Sequence, residues 1–193
     1  MIEGIILYNT WLKVLKEVKT NGKVITDERG SKIMELTNIV STFPNPFFNL
    51  NGVEAIPESH PYWNSEKLKV YADQFNSSEN PGFKYTYGSR IRAYIVKRWK
   101  SSFSRKNKWE YEYVNQVDEV VRKLKNNNNT RRAIIITWRV LEDNKNDEIP
   151  CFIMADYKIR NGKLRTTAVW RSHDVFGAYY PNMVGLAYQK RDS

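Results

Sequence analysis

The chain has 193 residues, 41% of them hydrophobic and 13% aromatic, a composition typical of a globular protein rather than a disordered one. Its one cysteine excludes an intramolecular disulfide framework, and its two histidines leave little for a zinc site. The formal net charge of +10 predicts a surface that attracts anions, which fits nucleic acid and a phosphorylated small molecule equally well.

The first part of the chain predicts two helices separated by strands and loops. A strand followed by an amphipathic helix is predicted over Met1–Val18, a strand over Lys32–Ser41 and a helix over Ser65–Phe75. The prolines of Phe43–Pro61 favour an irregular stretch. Because the first residues lack a long uncharged apolar core and no later run approaches a membrane span, we expect a cytoplasmic protein.

The second part predicts two helices, three strands and a last helix. The helices are expected over Arg90–Trp99 and Glu110–Lys125. The strands are expected at Ala133–Trp138, Phe152–Ile159 and Leu164–Trp170. Asn161-Gly162 between the last two strands is a strong hairpin signal. The last helix is expected to begin near Pro181-Asn182.

Four polar motifs accompany the predicted strands. They are Arg131-Arg132, Pro150-Cys151, Arg171-Ser172-His173-Asp174 and Pro181-Asn182. Arginines with a neighbouring hydroxyl can cradle a phosphate, and a cysteine held near such cations has its nucleophilic thiolate favoured. An asparagine can bind the N–H and the carbonyl of an imide at the same time, because its carboxamide offers both a donor and an acceptor.

Each of these features also has a structural interpretation. A lone cysteine fits a small buried hydrophobe, paired arginines fit surface charge, and Arg-Ser-His-Asp fits a strand end with a helix cap. The basic block from Lys97 to Lys108 fits a solvated helix end and loop as well as an anion-binding surface.

In combination and order, the motifs resemble the thymidylate synthase and deoxycytidylate hydroxymethylase family, and archaeal-type members in particular. The resembling segments are Asp27–Lys32 with Glu35, Tyr85–Arg90, Asn129–Ile134, Ile149–Phe152, Trp170–Gly177 and Pro181-Asn182. The resemblance implies an α/β (α+β) fold with a mixed twisted sheet flanked by helices. It also implies a single domain over residues 1–193 that lacks the family's usual C-terminal strand and tail.

The resemblance implies a nucleophile and a phosphate site. Cys151 would add to C6 of the pyrimidine, so that C5 can attack a one-carbon electrophile. The implied phosphate ligands are Arg29, Arg171 and Ser172, with Arg131 and Arg132 serving the other subunit's site across a homodimer interface.

Other residues are implied in cofactor binding and proton transfer. Asp174 would hold the pterin, and Tyr87 would belong to the proton-relay network. Glu66, on the predicted helix Ser65–Phe75, would manage protons at the base carbonyl, with Glu54 and Glu58 as alternatives.

The implied activity is that of a thymidylate synthase, a methyltransferase that converts dUMP to dTMP. Its co-substrate would be 5,10-methylenetetrahydrofolate or a related reduced pterin, and no metal is implied. Asn182 favours dUMP, because the cytosine hydroxymethylases have Asp at that position. Two alternatives stay open: a pyrimidine nucleotide hydroxymethylase, and a non-catalytic relative that binds nucleotide or, weakly, RNA through its basic surface.

Overall fold

The computed structural model describes residues 1–4, 7–43, 60–100 and 108–191. Helices and strands occur together, with both parallel and antiparallel pairing, and the expected mixed α/β fold class is confirmed. The chain forms two compact units, Met1–Ala72 with Asp174–Tyr188, and Asp73–His173 with Gln189–Ser193. Within the described ranges, no helix has the length and apolar character needed to cross a membrane.

The helices and strands follow one another along both units. In chain order they are β1 (Ile2–Glu3), α1 (Leu7–Asn21), β2 (Lys23–Thr26), β3 (Lys32–Glu35), β4 (Ser41–Thr42), α2 (Ser65–Asn76), α3 (Tyr87–Arg92), β5 (Tyr94–Lys100), β6 (Lys108–Val114), α4 (Gln116–Asn126), β7 (Ala133–Ile136), α5 (Val140–Asp143), β8 (Phe152–Arg160), β9 (Lys163–Trp170) and α6 (Tyr179–Arg191).

The first unit is organised around α1 and the first turns of α6. β1 pairs in parallel with β4, and β2 pairs with β3 as an antiparallel hairpin. Trp11 of α1 is 3% exposed, and its indole Nε1 donates to the Val175 carbonyl at 2.7 Å. Ser41 and Tyr179 hydroxyls lie 2.6 Å apart and tie β4 to the start of α6. Residues 179–187 of α6 are all buried, so this helix is a central core element of the unit.

The second unit contains a three-stranded antiparallel sheet in the order β7-β8-β9. The β8–β9 hairpin turns at Asn161 and Gly162, both with positive φ, as the Asn-Gly signal predicted. Helix α4 packs on β7, and its buried face consists of Val117, Val120 and Leu124. A cavity of about 220 Å³ lies beneath α4, lined largely by apolar side chains and not by Cys151.

Two predicted helices were wrong in whole or in part. The predicted helix Arg90–Trp99 is replaced by the end of α3 and by strand β5, and Glu110–Val114 belongs to strand β6 instead of α4. β-Branched and aromatic residues favour extended backbone, and Trp109, Tyr111 and Tyr113 recur with a period of two. The two strands pair along their length as an antiparallel ribbon.

Other boundaries shift by smaller amounts. The predicted strand Lys32–Ser41 is confined to β3, with β4 beginning only at Ser41, and β2 was not predicted. The last helix begins at Tyr179, two residues earlier than expected. Most of the stretch predicted as irregular, residues 44–59, lies outside the described residues.

Candidate active site

Cys151 precedes β8 and lies beside the residue that follows β9. The two strands pair Phe152 with Trp170, and the Arg171 main-chain N–H donates to the Cys151 carbonyl at 2.9 Å. Arg171 Nη2 lies 3.7 Å from Cys151 Sγ, and its Nε donates to the Pro150 carbonyl at 3.0 Å. A nearby cation is one of the features that distinguish reactive cysteines from inert ones. The predicted proximity of a cation to Cys151 is therefore present in the structure.

An aromatic cluster fixes the two strand ends that carry the cysteine and the arginine. Phe152 is fully buried, and its ring centroid lies 4.8 Å from that of Trp170. Tyr87 meets both rings edge-on, at 5.8 and 5.6 Å, and Phe75 closes the cluster. Aromatic pairs of this kind each add about 0.5–1.5 kcal/mol beyond the area they bury. The cluster therefore limits movement of the strand ends.

The Tyr-Gly segment enters α3 through a tight approach of main chains. Thr86 is the N-cap, and its hydroxyl accepts from the Ser89 N–H at 3.0 Å in a capping box. A Cβ at Gly88 would lie 2.1 Å from the carbonyl oxygen of Ser77, so a larger residue would displace the helix. Tyr87, the predicted relay residue, is thereby fixed as the first residue of α3 and is half-buried.

Tyr85 lies among the candidate catalytic groups. Its hydroxyl donates to the Ile149 carbonyl at 3.2 Å. Burial raises the pKa of Tyr85, and the nearby Cys151 charge raises it further, whereas a hydrogen bond with Tyr87 and the charge of Arg171 act in the opposite direction. The Tyr85 hydroxyl therefore interacts electrostatically with Cys151, Tyr87 and Arg171.

A buried ion pair supports the ring of Tyr85. Arg90 is 5% exposed and Asp143 is 1% exposed, and two hydrogen bonds of 2.8 and 3.1 Å join them. The Arg90 guanidinium carbon lies 5.6 Å from the Tyr85 ring centroid. Asp143 also accepts from the Arg139 main-chain N–H, and Arg90 donates to the Thr137 carbonyl. This pair connects α3, α5 and the end of β7 in one network.

Arg131 and Arg132 lie at the other end of the sheet from Cys151. Both are exposed, and they directly precede β7. Ala133 pairs with Tyr157 of β8, roughly 20 Å along the strand from Cys151 at the usual rise per residue. The structure therefore does not bring these two arginines to the cysteine of their own chain. Ser172, by contrast, follows Arg171 directly and is exposed.

Asn182, the predicted base-reading residue, is 2% exposed in the first turn of α6. The Tyr71 hydroxyl donates to its Oδ1 at 2.5 Å. The Tyr71 ring packs edge-on against Trp63, whose indole N–H donates to the Gly177 carbonyl. In this arrangement the oxygen of the Asn182 carboxamide, and not its nitrogen, faces the Tyr71 hydroxyl.

Asp174 lies before α6, and its carboxylate is oriented by main-chain donors. Its Oδ1 accepts from the N–H groups of Phe176 at 3.1 Å and Gly177 at 2.9 Å. Its carbonyl accepts from Ala178 and Tyr179, the residues that lead into the helix. The side chain is exposed, so the predicted pterin ligand is ordered by the fold and accessible to solvent.

Two further predicted residues are exposed in the first unit. Arg29 lies in the β2–β3 turn, where its N–H donates to Asp27 Oδ1 at 3.0 Å. Glu66 lies in the first turn of α2, where a carboxylate is favoured by the helix dipole. The alternatives Glu54 and Glu58 lie outside the described residues. The roles assigned to Arg29 and Glu66 stay predictions.

Comparison with known proteins adds an independent observation to this geometry. The profile of the family described as thymidylate synthase matches residues 54–188. The chain belongs to the thymidylate synthase family. The matched residues include the cysteine, its arginine neighbour, the Tyr-Gly segment and Asn182.

Relatives of this thymidylate synthase family member occur in archaea, as the resemblance to archaeal-type members predicted. A relative from Methanothermobacter marburgensis is 42% identical, over 92% of this chain and 76% of its own length. One from Methanothermobacter thermautotrophicus is 41% identical over 92% and 77%, and one from Methanococcoides burtonii is 38% identical over 97% and 76%. All three carry the provisional name thymidylate synthase.

Four polar residues of this family member were not assigned from sequence: Tyr71, Tyr85, Arg90 and Asp143. Tyr85 and Arg90 stand in the segment that carries the family resemblance, but only Tyr87 was singled out there. Tyr71 lies three residues after the buried Leu68, so helical spacing places it near the buried face of α2. Among the residues described, no group of three His, Cys, Asp or Glu side chains could hold a metal ion.

Proposed function

We propose that this chain is a thymidylate synthase that methylates dUMP at C5, with Cys151 as its nucleophile. The observation that carries the proposal is the 3.7 Å contact between Arg171 Nη2 and Cys151 Sγ in a chain of this family. A thiolate beside a guanidinium is suited to attack an electron-poor carbon. Cys151 is only partly buried.

In the proposed reaction, the Cys151 thiolate forms a bond to C6 of the dUMP ring. The electron pair of the C5–C6 double bond moves toward the O4 carbonyl, which makes C5 nucleophilic. A reduced folate or related pterin, when bound, supplies the one-carbon unit and the hydride that completes the methyl group. Loss of the C5 proton and departure of Cys151 restore the double bond. Tyr87 is assigned to proton transfer, and Glu66 to the proton at the base carbonyl.

The pterin of the co-substrate is assigned to Asp174. A pterin presents amide and amino N–H donors, and a carboxylate accepts such donors. The exposed carboxylate of Asp174 is already held by the N–H groups of Phe176 and Gly177. Binding a pterin would therefore cost less side-chain entropy. These residues fit 5,10-methylenetetrahydrofolate or a related reduced pterin as co-substrate.

Asn182 is proposed to select uracil. Uracil presents an N3–H donor beside the O4 acceptor, whereas cytosine presents an N3 acceptor beside an amino donor. Asn182 Oδ1 faces the Tyr71 hydroxyl in the structure, and the same carboxamide is proposed to accept from N3–H and donate to O4 of uracil. A polar site that leaves a buried partner unpaired can reject the wrong ligand by as much as about 10⁴-fold.

The phosphate site is proposed to be shared between the subunits of a homodimer. Its ligands would be Arg29, Arg171 and Ser172, with Arg131 and Arg132 of the partner subunit. The register of β7 on β8 supports this sharing, because it separates the paired arginines from Cys151 of the same chain by roughly 20 Å. A second copy packed with its sheet in the reverse direction would bring its own two arginines toward Cys151 of the first chain.

One face of the β7–β9 sheet offers a surface for that dimer. Helix α4 covers the opposite face, where Ala133 and Ile135 are buried. On the uncovered face, Ile134 is 42% exposed, Ile136 is 43% exposed and Val169 is 44% exposed. These apolar side chains share one sheet face, and packing that face on a second copy would remove them from water.

The test is tritium release from dUMP labelled at C5, compared with labelled dCMP, with and without methylenetetrahydrofolate. Release reports loss of the C5 proton whatever becomes of the methylene group. We expect release from dUMP with the wild-type chain and none with Cys151→Ala. The control Thr166→Ala, on β9 of the same unit, should release tritium at the wild-type rate.

Other outcomes would favour the alternatives. Preferential release from dCMP, or a hydroxymethyl product, would support a pyrimidine nucleotide hydroxymethylase. No release from either nucleotide, at a concentration where dUMP binds, would refute the proposed reaction. Steeply salt-dependent RNA binding without release would instead support a non-catalytic binder, because phosphate contacts release counterions.

A further inference from the structure

The segment that ends in Cys151 is held by two side chains that meet at one carbonyl. The Tyr85 hydroxyl donates to the Ile149 carbonyl at 3.2 Å, and Arg171 Nη2 donates to the same oxygen at 3.1 Å. The Pro150 carbonyl accepts from Arg171 Nε at 3.0 Å. Arg171 therefore contacts both the segment and the sulfur, and Tyr85 is the second anchor of the same main chain.

Tyr85 itself is fixed from two sides. Its ring lies 5.6 Å from the guanidinium carbon of Arg90, which is locked by two hydrogen bonds to the buried Asp143. Its ring centroid lies 5.8 Å from that of Tyr87, with which it also shares a side-chain hydrogen bond. A phenol held in this way loses little conformational freedom when it anchors a neighbouring carbonyl.

We propose that Tyr85 is a positioning residue, whose hydroxyl holds the segment Ile149–Cys151 so that the sulfur of Cys151 stays beside Arg171. The consequence for catalysis rests on the proposed function of Cys151. Without the hydroxyl, the Ile149 carbonyl keeps only one donor, and the segment gains freedom to move the sulfur away from the cation. A cation near a cysteine generally favours reaction with electrophiles, so moving the sulfur away from Arg171 should lower the reactivity of Cys151.

The structure provides a matched control in Tyr94. Its hydroxyl donates to the Trp138 carbonyl at 2.8 Å, and the Arg139 guanidinium carbon lies 5.1 Å from its ring. Burial raises the pKa of Tyr94, as it raises that of Tyr85. Tyr94→Phe therefore removes the same kind of buried phenol-to-carbonyl bond, next to the same kind of cation, but at a different main-chain segment from that of Cys151.

The test is the rate of iodoacetamide alkylation between pH 6 and pH 9.5. Because the chain has one cysteine, the signal reports Cys151 alone. At pH 7 we expect Tyr85→Phe to react about 5-fold more slowly than wild type, from the loss of one hydrogen bond, and to regain the wild-type rate at the alkaline end. The Tyr94→Phe profile should match wild type, and circular dichroism should show both variants folded.

Two results would overturn the proposal. An unchanged Tyr85→Phe profile would mean that Arg171 alone positions the sulfur. A rate lowered equally at every pH would mean that access to the thiol changed, and not its proximity to the cation. In the tritium assay, Tyr85→Phe should lower kcat about 5-fold with little change in KM for dUMP. If the wild-type chain releases no tritium, the proposed function fails while the alkylation profiles still decide the role of Tyr85.

Discussion

Replacing Asp143 with leucine removes the carboxylate that neutralises a buried arginine. Arg90 and Asp143 are 5% and 1% exposed, and their two hydrogen bonds measure 2.8 and 3.1 Å. In the variant, Arg90 would keep only the Thr137 carbonyl as a buried acceptor, and the Arg139 N–H would lose its bond to Asp143. The half-exposed Glu142, whose carboxylate lies 3.9 Å from Arg90 Nη1, would then stand in for the buried counter-charge at a longer distance.

Breaking a buried pair in this way costs about 3–5 kcal/mol, and the lost main-chain bond adds about 1 kcal/mol. We therefore expect Asp143→Leu to lower the free energy of unfolding by about 4–6 kcal/mol, a large part of the stability of a typical domain. Arg90→Met alone should also destabilise strongly. The double variant should cost less than the sum of the two, because no unpaired charge is left buried.

The assay is urea unfolding followed by circular dichroism at pH 7 for both single variants, the double variant and wild type. The exposed pair Arg122–Glu119, 2.6 Å apart on α4, supplies a control because solvent screens it. Glu119→Leu should leave the unfolding midpoint close to that of wild type. A cost below about 1 kcal/mol for Asp143→Leu, or additive costs in the double variant, would refute the reasoning.

Three further predictions concern base choice, the shared site and pH. Tyr71→Phe frees the orientation of the Asn182 amide, so the preference for dUMP over dCMP in tritium release should fall about 10-fold; an unchanged ratio would remove Tyr71 from base selection. Arg131→Ala should be inactive alone, but mixing it with Cys151→Ala should restore about a quarter of wild-type activity, because half of the random dimers then hold one intact site. Absence of restoration would assign Arg131 to its own chain. Burial raises the pKa of Tyr180 to about 12, from an ordinary value near 10. The folded chain therefore binds this proton more tightly than the unfolded chain, so stability should fall from pH 10 to pH 12, and urea midpoints that rise over this range would contradict the assignment.

The parts of the fold that sequence predicted correctly have strong local patterns. The strand Ala133–Ile136 contains three consecutive β-branched isoleucines, and the hairpin at Asn161-Gly162 needs the positive φ that these two residues tolerate. The ribbon of β5 and β6 was not predicted correctly, because some of its residues fit both the 3.6-residue period of a helix and the two-residue period of a strand. Tyr113 and Val114 continue the helical spacing of α4 while also ending a strand with alternating aromatics. Local spacing cannot decide between these periods, and pairing with β5 decides it in the folded chain.

The candidate site could be predicted where a chemically suitable residue also stands at the end of a predicted strand. Cys151 and Arg171 each stand at a strand end, and the antiparallel register of β8 and β9 brings them together. The buried pair of Arg90 and Asp143 leaves no such signal, because its members are far apart in the sequence and a charged residue is usually exposed. Tyr85 could not be predicted either, because its partner is a main-chain carbonyl that no sequence motif identifies.

Arg171 has two proposed roles, and the distribution of its donors explains how one side chain can fill both. A guanidinium has five N–H donors, one on Nε and two on each terminal nitrogen. In the part of the chain that the structure describes, Nε donates to Pro150, and Nη2 lies within reach of both the Ile149 carbonyl and Cys151 Sγ. The donors of Nη1 are then available to a nucleotide phosphate without loss of the contact to the thiolate. A lysine could not do the same, because its ammonium has three donors at a single point and lacks the planar fork. The proposed substrate binding and the proposed activation of Cys151 therefore use different edges of one guanidinium, and neither has to be given up when dUMP arrives.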